Sequence, residues 1–288
     1  MYKLGLFGGG ERNDGRYMVG GKPVYYDGGH VPPINAARTP AVQPGRRPEY
    51  EDSVDSYENE FTSRAIRHAF IKKVYFLLFM QLGFTAAVIA LFQFEPNCNL
   101  FARRYFFVSI IFLMVSLIFY MVLVCVQAAR RNYPLNFILF AIYTIISAIG
   151  YALLAALYAP DIVLYSFGIT AAVCLAVTIL AMQKCIDITG CGMYLCLIGL
   201  VISLFGLATM ITMMIMGWNE TTRILYLVYA SIAALVTSLY FMFMTQLILG
   251  GKKYELSPEE YVLGAIILYT EIMQLFVLIM GIFGAARN

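Results

Sequence analysis

The chain has 288 residues, of which 61% are hydrophobic and 13% are charged. Because soluble domains carry about a quarter charged residues, this composition indicates an integral membrane protein. The net charge of +3 is too small to indicate a nucleic-acid partner, and no DNA- or RNA-binding motif accompanies it.

Residues 1–60 differ in composition from the rest of the chain. They contain the triplet Gly8–Gly10, the pair Pro32-Pro33 and scattered tyrosines, without an apolar period. We predict a disordered Gly/Pro/Tyr-rich tail that closes with the acidic run Glu49–Glu60. The tail lacks the apolar segment of a signal peptide. Two roles stay open: a solvated linker, or a tail that captures membrane-protein partners.

Residues 61–73 have the pattern of an amphipathic juxtamembrane helix. Four apolar residues fall on one side of the helix, and five basic residues supply positive charge: Ala65, Ile66, Ala69 and Phe70, then Arg64, Arg67, His68, Lys72 and Lys73. Such a segment lies along an anionic leaflet. The alternative is a solvated helix that continues directly into the first span.

Seven apolar runs follow, and each is long enough for a hydrocarbon core that requires about 20 helical residues. They are Val74–Phe94, Phe106–Ala128, Leu135–Ala159, Ile162–Met182, Gly192–Gly217, Ile224–Leu249 and Tyr261–Gly284. We therefore predict an all-α membrane protein, with a seven-helix transmembrane domain at residues 74–288 embedded in a lipid bilayer. Short connections make neighbouring helices antiparallel.

The distribution of Lys and Arg predicts the orientation. One set of connections holds Lys72, Lys73, Arg130, Arg131, Lys184, Lys252 and Lys253, and the other holds Arg103, Arg104, Arg223 and Arg287. Because cytoplasmic loops carry the excess of positive charge, we expect the N-terminus to be cytosolic.

Glu271 is the only carboxylate inside a long apolar run, and Gln274 follows one helical turn later. A charged group at that depth costs at least ~2.5 kcal/mol, so it faces protein, water or a partner, or it stays protonated. One interpretation is a proton-sensing or cation-binding group, with Gln274 in the same cavity. The other is a protonated Glu that fixes helix register. Gln81, in the first span, favours an interhelical hydrogen bond.

The residue inventory argues against an enzyme. The two histidines, His30 and His68, both precede the first span. This placement excludes a histidine-based zinc site or a Ser-His-Asp centre within the membrane domain. We predict no catalytic residues, no cofactor and no certain metal site.

Three blocks carry a resemblance to a known family. They are AIRHAFIKKVYFLLFMQL at 65–82, GITAAVCLAVTILAMQKCIDIT at 168–189 and TQLILGGKKYELSPEEYVLGAIILYTEIMQLF at 245–276. In their order and spacing they resemble the transmembrane Bax-inhibitor-motif family, and its lifeguard branch most. The resemblance implies a seven-helix bundle in which six helices surround the last one.

The resemblance also implies a function: a pH-sensitive calcium leak across the endoplasmic reticulum or Golgi membrane, or the plasma membrane as an alternative, that restrains apoptosis. In the family, aspartates on the sixth and seventh helices share a proton-sensing site. The seventh-helix aspartate aligns with Glu271, whereas the sixth-helix position holds Met244. The resemblance thus makes calcium the candidate permeant ion and Glu271 its candidate contact. Calcium prefers six to eight oxygen ligands, so the exchange at residue 244 weakens such a site. A non-conducting membrane adaptor therefore stays open as an alternative.

Four more residues are candidates for the mouth of a pathway. Thr245 and Gln246 end the sixth run, and Glu259 and Glu260 precede the seventh. The sequence Ser257-Pro258-Glu259-Glu260 also has the pattern of a capping box, with Pro258 at the first helical position, and capping alone accounts for both glutamates.

Overall fold

The computed structural model describes residues 18–19, 22–23, 49–183, 186–251, 254 and 256–287, with side chains described from residue 64 onward except at 130–131. The chain divides into two units, Met1–Asp52 and Ser53–Asn288. In the first unit, strands β1 (Met18–Val19) and β2 (Lys22–Pro23) pair antiparallel. The rest of the tail prediction up to residue 48 lies outside the described residues.

The rest of the described chain contains nine α-helices: α1 Glu49–Phe94, α2 Pro96–Arg104, α3 Phe107–Cys125, α4 Gln127–Arg131, α5 Leu135–Ala155, α6 Pro160–Ala181, α7 Gly192–Met216, α8 Glu220–Leu249 and α9 Tyr261–Arg287. A 3-10 turn, Thr189–Cys191, precedes α7. Seven of them are long and apolar enough to cross a membrane, namely α1 from Arg64 onward, α3, α5, α6, α7 with the 3-10 turn before it, α8 and α9. The predicted seven-span, all-α architecture is confirmed.

Two boundaries differ from the sequence interpretation. Helix α1 runs without a break from Glu49 to Phe94, so residues 49–60, which composition assigned to the tail, are helical. Acidic residues favour the first turns of a helix, which accounts for this start. At the other boundary, α9 begins at Tyr261 rather than Pro258, because the backbone N–H of Glu260 donates to the carbonyl of Ser257 and closes a separate turn.

Helix α9 lies at the centre of the bundle. Its most apolar stretch is 67% buried, whereas the other six spans range from 11% to 39%. It packs against α3, α5, α6 and α8. Close approach depends on small residues: a β-carbon added at Gly281 would collide with the Tyr226 hydroxyl, and one added at Gly284 with the Tyr158 ring. The prediction that the last helix is central is confirmed.

Helices α7 and α8 pack through contacts between aromatic rings of α8 and glycines of α7. Three glycines of α7 recur every seven residues and therefore share one helix face. Each meets a ring from α8, in the pairs Gly192–Phe243, Gly199–Tyr240 and Gly206–Tyr229. Small residues allow this close contact between membrane helices. The packing also fixes the position of two tyrosines that border the site described next.

Candidate functional site

A cavity of about 770 Å³ lies within the membrane domain, bordered by α3, α5, α7, α8 and α9. Glu271 and Gln274 of α9 both line it, together with Thr270. Glu271 is partly buried, and Gln274 is exposed to the space. At 1.5 Å per residue, Glu271 stands roughly 15 Å along α9 from Tyr261, near the middle of the span. The structure thus brings the two predicted residues together at one cavity.

Phenol groups dominate the polar lining of this cavity, and they come from three helices around Glu271. They are Tyr120 on α3, Tyr143 and Tyr151 on α5, and Tyr229 and Tyr240 on α8. Hydroxyl and thiol groups of Ser116, Ser203, Thr237 and Cys196 complete the polar set. Among the described lining residues, Glu271 is the only acid. The other polar groups of the described lining are therefore neutral.

A buried hydrogen-bond network fixes α9 beside the cavity. The Tyr143 and Thr270 hydroxyls lie 2.8 Å apart, and the Thr270 hydroxyl also donates to the Ile266 carbonyl. On another side of α9, the Tyr269 hydroxyl lies 2.9 Å from the Thr85 hydroxyl and 3.1 Å from that of Ser147. These contacts join α9 to α1 and α5 at mid-span.

Gln81 extends the same network, since its amide Nε2 donates to the Thr144 hydroxyl across 2.9 Å. The predicted interhelical bond of Gln81 is therefore present. Sequence reasoning missed the other members of the network, Thr85, Thr144, Ser147 and Tyr269. Gln81 and Thr85 lie one helical turn apart in an apolar run and so share one face of the helix. This spacing could have indicated a polar contact with another helix.

Comparisons with known proteins place this architecture in a family. A family model described as "Inhibitor of apoptosis-promoting Bax1" matches residues 67–288. Protein lifeguard 3 of Homo sapiens is 33% identical over 225 residues, covering 78% of this chain and 71% of that protein. Protein lifeguard 3 of Mus musculus is 33% identical over 234 residues, covering 80% and 74%. Bax inhibitor 1 of Schizosaccharomyces pombe is 26% identical over 258 residues, covering 86% and 92%.

The chain belongs to the Bax-inhibitor family, in its lifeguard branch. At the position where the resemblance expects the sixth-helix aspartate, this lifeguard-type chain carries Met244 on α8. Met244 is partly buried and packs against the main hydrophobic core. It is not among the described residues that line the cavity. Glu271 consequently has phenols, rather than a second carboxyl, as its polar neighbours.

Thr245 and Gln246 of α8 are both fully buried and lie away from the cavity lining. The Gln246 amide donates to the Ile186 carbonyl at 2.9 Å and accepts from the Ile188 backbone N–H at 3.0 Å. The Thr245 hydroxyl donates to the carbonyl of Phe241 in its own helix. Gln246 therefore fastens the α6–α7 connection, and its role at a pathway mouth stays a prediction.

The two glutamates before α9 lie in the α8–α9 connection. Glu259 is exposed, whereas Glu260 is buried, and neither lines the Glu271 cavity. Arg67 of α1 reaches this connection, because its Nη1 donates to the Leu256 carbonyl at 2.7 Å. The connection is thus fastened to the first span.

The described residues give little basis for a resident metal. They contain no group of three or more His, Cys, Asp or Glu side chains that could hold an ion. Calcium prefers six to eight oxygen ligands, carboxylates among them. One carboxyl among phenols fits a passing cation contact better than a tight site.

Proposed function

We propose that this chain forms a proton-sensitive leak pathway for calcium across an intracellular membrane, in the endoplasmic reticulum or Golgi, with its N-terminus in the cytosol. The observation that carries the proposal is Glu271 at mid-span, lining a cavity that also holds several hydroxyl groups and Gln274. An ionisable residue at this depth is a functional candidate by default, because its placement costs free energy.

Glu271 acts here as the titrating group. Its ionised carboxylate attracts a cation, and its protonated form removes that attraction and leaves a neutral polar cavity. The surrounding phenols offer dipoles without a fixed charge. Because Glu271 is the only acid in the described lining, the pH dependence of flux arises from this one side chain.

The cellular role follows from the family description, "Inhibitor of apoptosis-promoting Bax1". We propose that this chain restrains apoptosis by limiting the calcium held in the store. We propose no catalytic activity and no cofactor.

The direct test is calcium flux in vesicles that contain purified protein, measured across pH for the wild type and for Glu271→Gln. Glu259→Gln is the matched control, because it makes the same chemical change at an exposed residue outside the cavity. Equal pH dependence in all three proteins would remove Glu271 from the mechanism.

A second candidate function is a non-conducting adaptor that binds other membrane proteins through its tail and helix faces. Met244 favours it, because the exchange removes the second carboxyl that the resemblance implies. Deletion of the tail would then abolish capture of membrane partners, while flux through the full-length protein would equal that of empty vesicles. Flux above the empty-vesicle level would reject the adaptor as the sole function.

A further inference from the structure

The Glu271 cavity has sides of different composition. Its floor is formed by α5, α8 and α9, which contribute Glu271, Gln274 and four of the five tyrosines. One side is α3, which contributes Ser116, Tyr120 and an apolar row: Leu113, Met114, Leu117 and Met121. The opposite side is α7, with Leu200 and Gly199 among its contributions. Helix α3 packs on α5, and α7 packs on α8, so these two helices flank the cavity.

Several side chains at these flanks are substantially exposed. Met114 is 56% exposed, Leu117 46% and Leu200 59%. At 1.5 Å per residue, Leu117 lies roughly 15 Å along α3 from Phe107, which is about half of a ~30 Å hydrocarbon core. This flank of the cavity therefore lies at the depth of the middle of the bilayer, where the surrounding medium is lipid acyl chain.

We propose that an acyl chain of a membrane lipid enters the cavity between α3 and α7 and lies along the apolar row of α3. The row suits a flexible, irregular ligand, because methionine side chains adapt their shape to the groups they contact. Met114 and Met121 stand on this row one turn above and below Leu117. The occupant is identified by its chemistry, a saturated or unsaturated hydrocarbon chain, and not by its headgroup.

An acyl chain in this space keeps water from the floor of the cavity. Glu271 then faces hydrocarbon on one side and phenols on the other, which favours its neutral form. Withdrawal of the chain admits water and lets the carboxyl ionise. This regulatory consequence rests on the proposed function, whereas occupancy of the cavity by a chain does not depend on whether calcium crosses.

The first experiment uses tryptophan fluorescence. Trp218 is the only tryptophan in the sequence, so the Trp218→Phe protein has no tryptophan fluorescence of its own. Three single tryptophans are then introduced separately. Val236→Trp places the probe in the cavity lining. Leu235→Trp, at the preceding residue of α8, replaces a side chain that is 69% exposed, and Phe276→Trp replaces one that is 1% exposed. The proteins are reconstituted in phosphatidylcholine with bromine atoms near the chain middle.

Bromine quenches nearby tryptophan. We expect quenching of Val236→Trp to approach that of Leu235→Trp and to exceed that of Phe276→Trp several-fold. Quenching of Val236→Trp as weak as that of Phe276→Trp would overturn the proposal.

A second experiment uses the wild-type protein and so does not depend on a variant that folds. A phospholipid with a diazirine in its acyl chain is photolysed in the reconstituted membrane, and adducts are mapped by mass spectrometry. Adducts on Glu271 or Gln274 support the chain in the cavity. Adducts confined to outward residues such as Leu235 and Leu239 would contradict it, irrespective of the calcium-flux result.

Discussion

The ring of Tyr240 on α8 lies against Gly199 on α7, with its Cε2 atom 3.1 Å from the position that a β-carbon at residue 199 would occupy. Tyr240 also lines the cavity of Glu271. The close packing of α7 on α8 therefore sets one wall of the candidate site. The same arrangement of ring on glycine recurs one heptad later, at Gly206.

Gly206→Ala tests how far stability depends on this packing. A β-carbon at residue 206 would stand 2.5 Å from the Tyr229 hydroxyl, so the ring or the helix must move. Overpacking of this kind costs about 1–3 kcal/mol, and we expect a lower midpoint of thermal unfolding in detergent. Gly83→Ala is the control, because no atom lies within 4 Å of its added β-carbon. Equal midpoints for the two variants would contradict the packing account.

Gln246→Leu should loosen the α6–α7 connection. The substitution leaves the Ile188 N–H and the Ile186 carbonyl without their side-chain partner, at a cost of about 1–3 kcal/mol. We expect faster proteolysis between α6 and α7 and a lower unfolding temperature. Thr245→Val, one residue earlier, should be close to neutral, because that hydroxyl bonds only within its own helix. A wild-type rate of proteolysis for Gln246→Leu would show that Gln246 does not hold the connection.

Tyr269→Phe should weaken the joint between α9, α1 and α5. It removes the hydroxyl that contacts both Thr85 and Ser147 while keeping the ring. Hydrogen bonds between membrane helices contribute modestly, so we expect a loss of about 0.5–2 kcal/mol in detergent unfolding. Tyr194→Phe is the control at a residue that is 72% exposed. If the two substitutions had the same effect, the buried network would not contribute to stability.

Much of the fold follows from the sequence because span length and hydropathy are local properties. Seven long apolar runs predicted the seven spans, and the single acid in the last run identified Glu271 as a candidate site residue. The central position of α9 came from the resemblance and not from any periodicity. In the structure, Gly281 and Gly284 allow tyrosines of other elements to pack directly against the backbone of α9.

The polar details could not be predicted, for a physical reason. A Ser or Thr in a membrane helix can bond a carbonyl one turn back, so its presence does not indicate a partner on another helix. Thr245 does this, whereas Thr85 and Ser147 also reach Tyr269. The tyrosines that line the Glu271 cavity could not be predicted either. A tyrosine in an apolar run has the same sequence pattern whether its ring packs in the core or its hydroxyl lines a cavity.

Met244→Asp tests whether a second carboxyl restores a stronger pH response. Two nearby carboxylates repel each other, so one retains its proton to higher pH. We expect greater pH-gated calcium flux than in the wild type, at some cost in stability because the native side chain packs against the core. Met244→Leu is the control that preserves an apolar residue. No gain of flux in a folded Met244→Asp protein would show that a carboxyl at residue 244 does not act together with Glu271.

The most direct test of the account is the pH profile of calcium flux for Glu271→Gln in purified vesicles. Glutamine keeps the size of the side chain and cannot ionise, so it mimics the protonated acid at every pH. The account predicts that the variant's flux is independent of pH and matches the wild-type flux at acidic pH, while Glu259→Gln follows the wild type. A Glu271→Gln profile that still changes with pH as the wild type does would contradict the central claim.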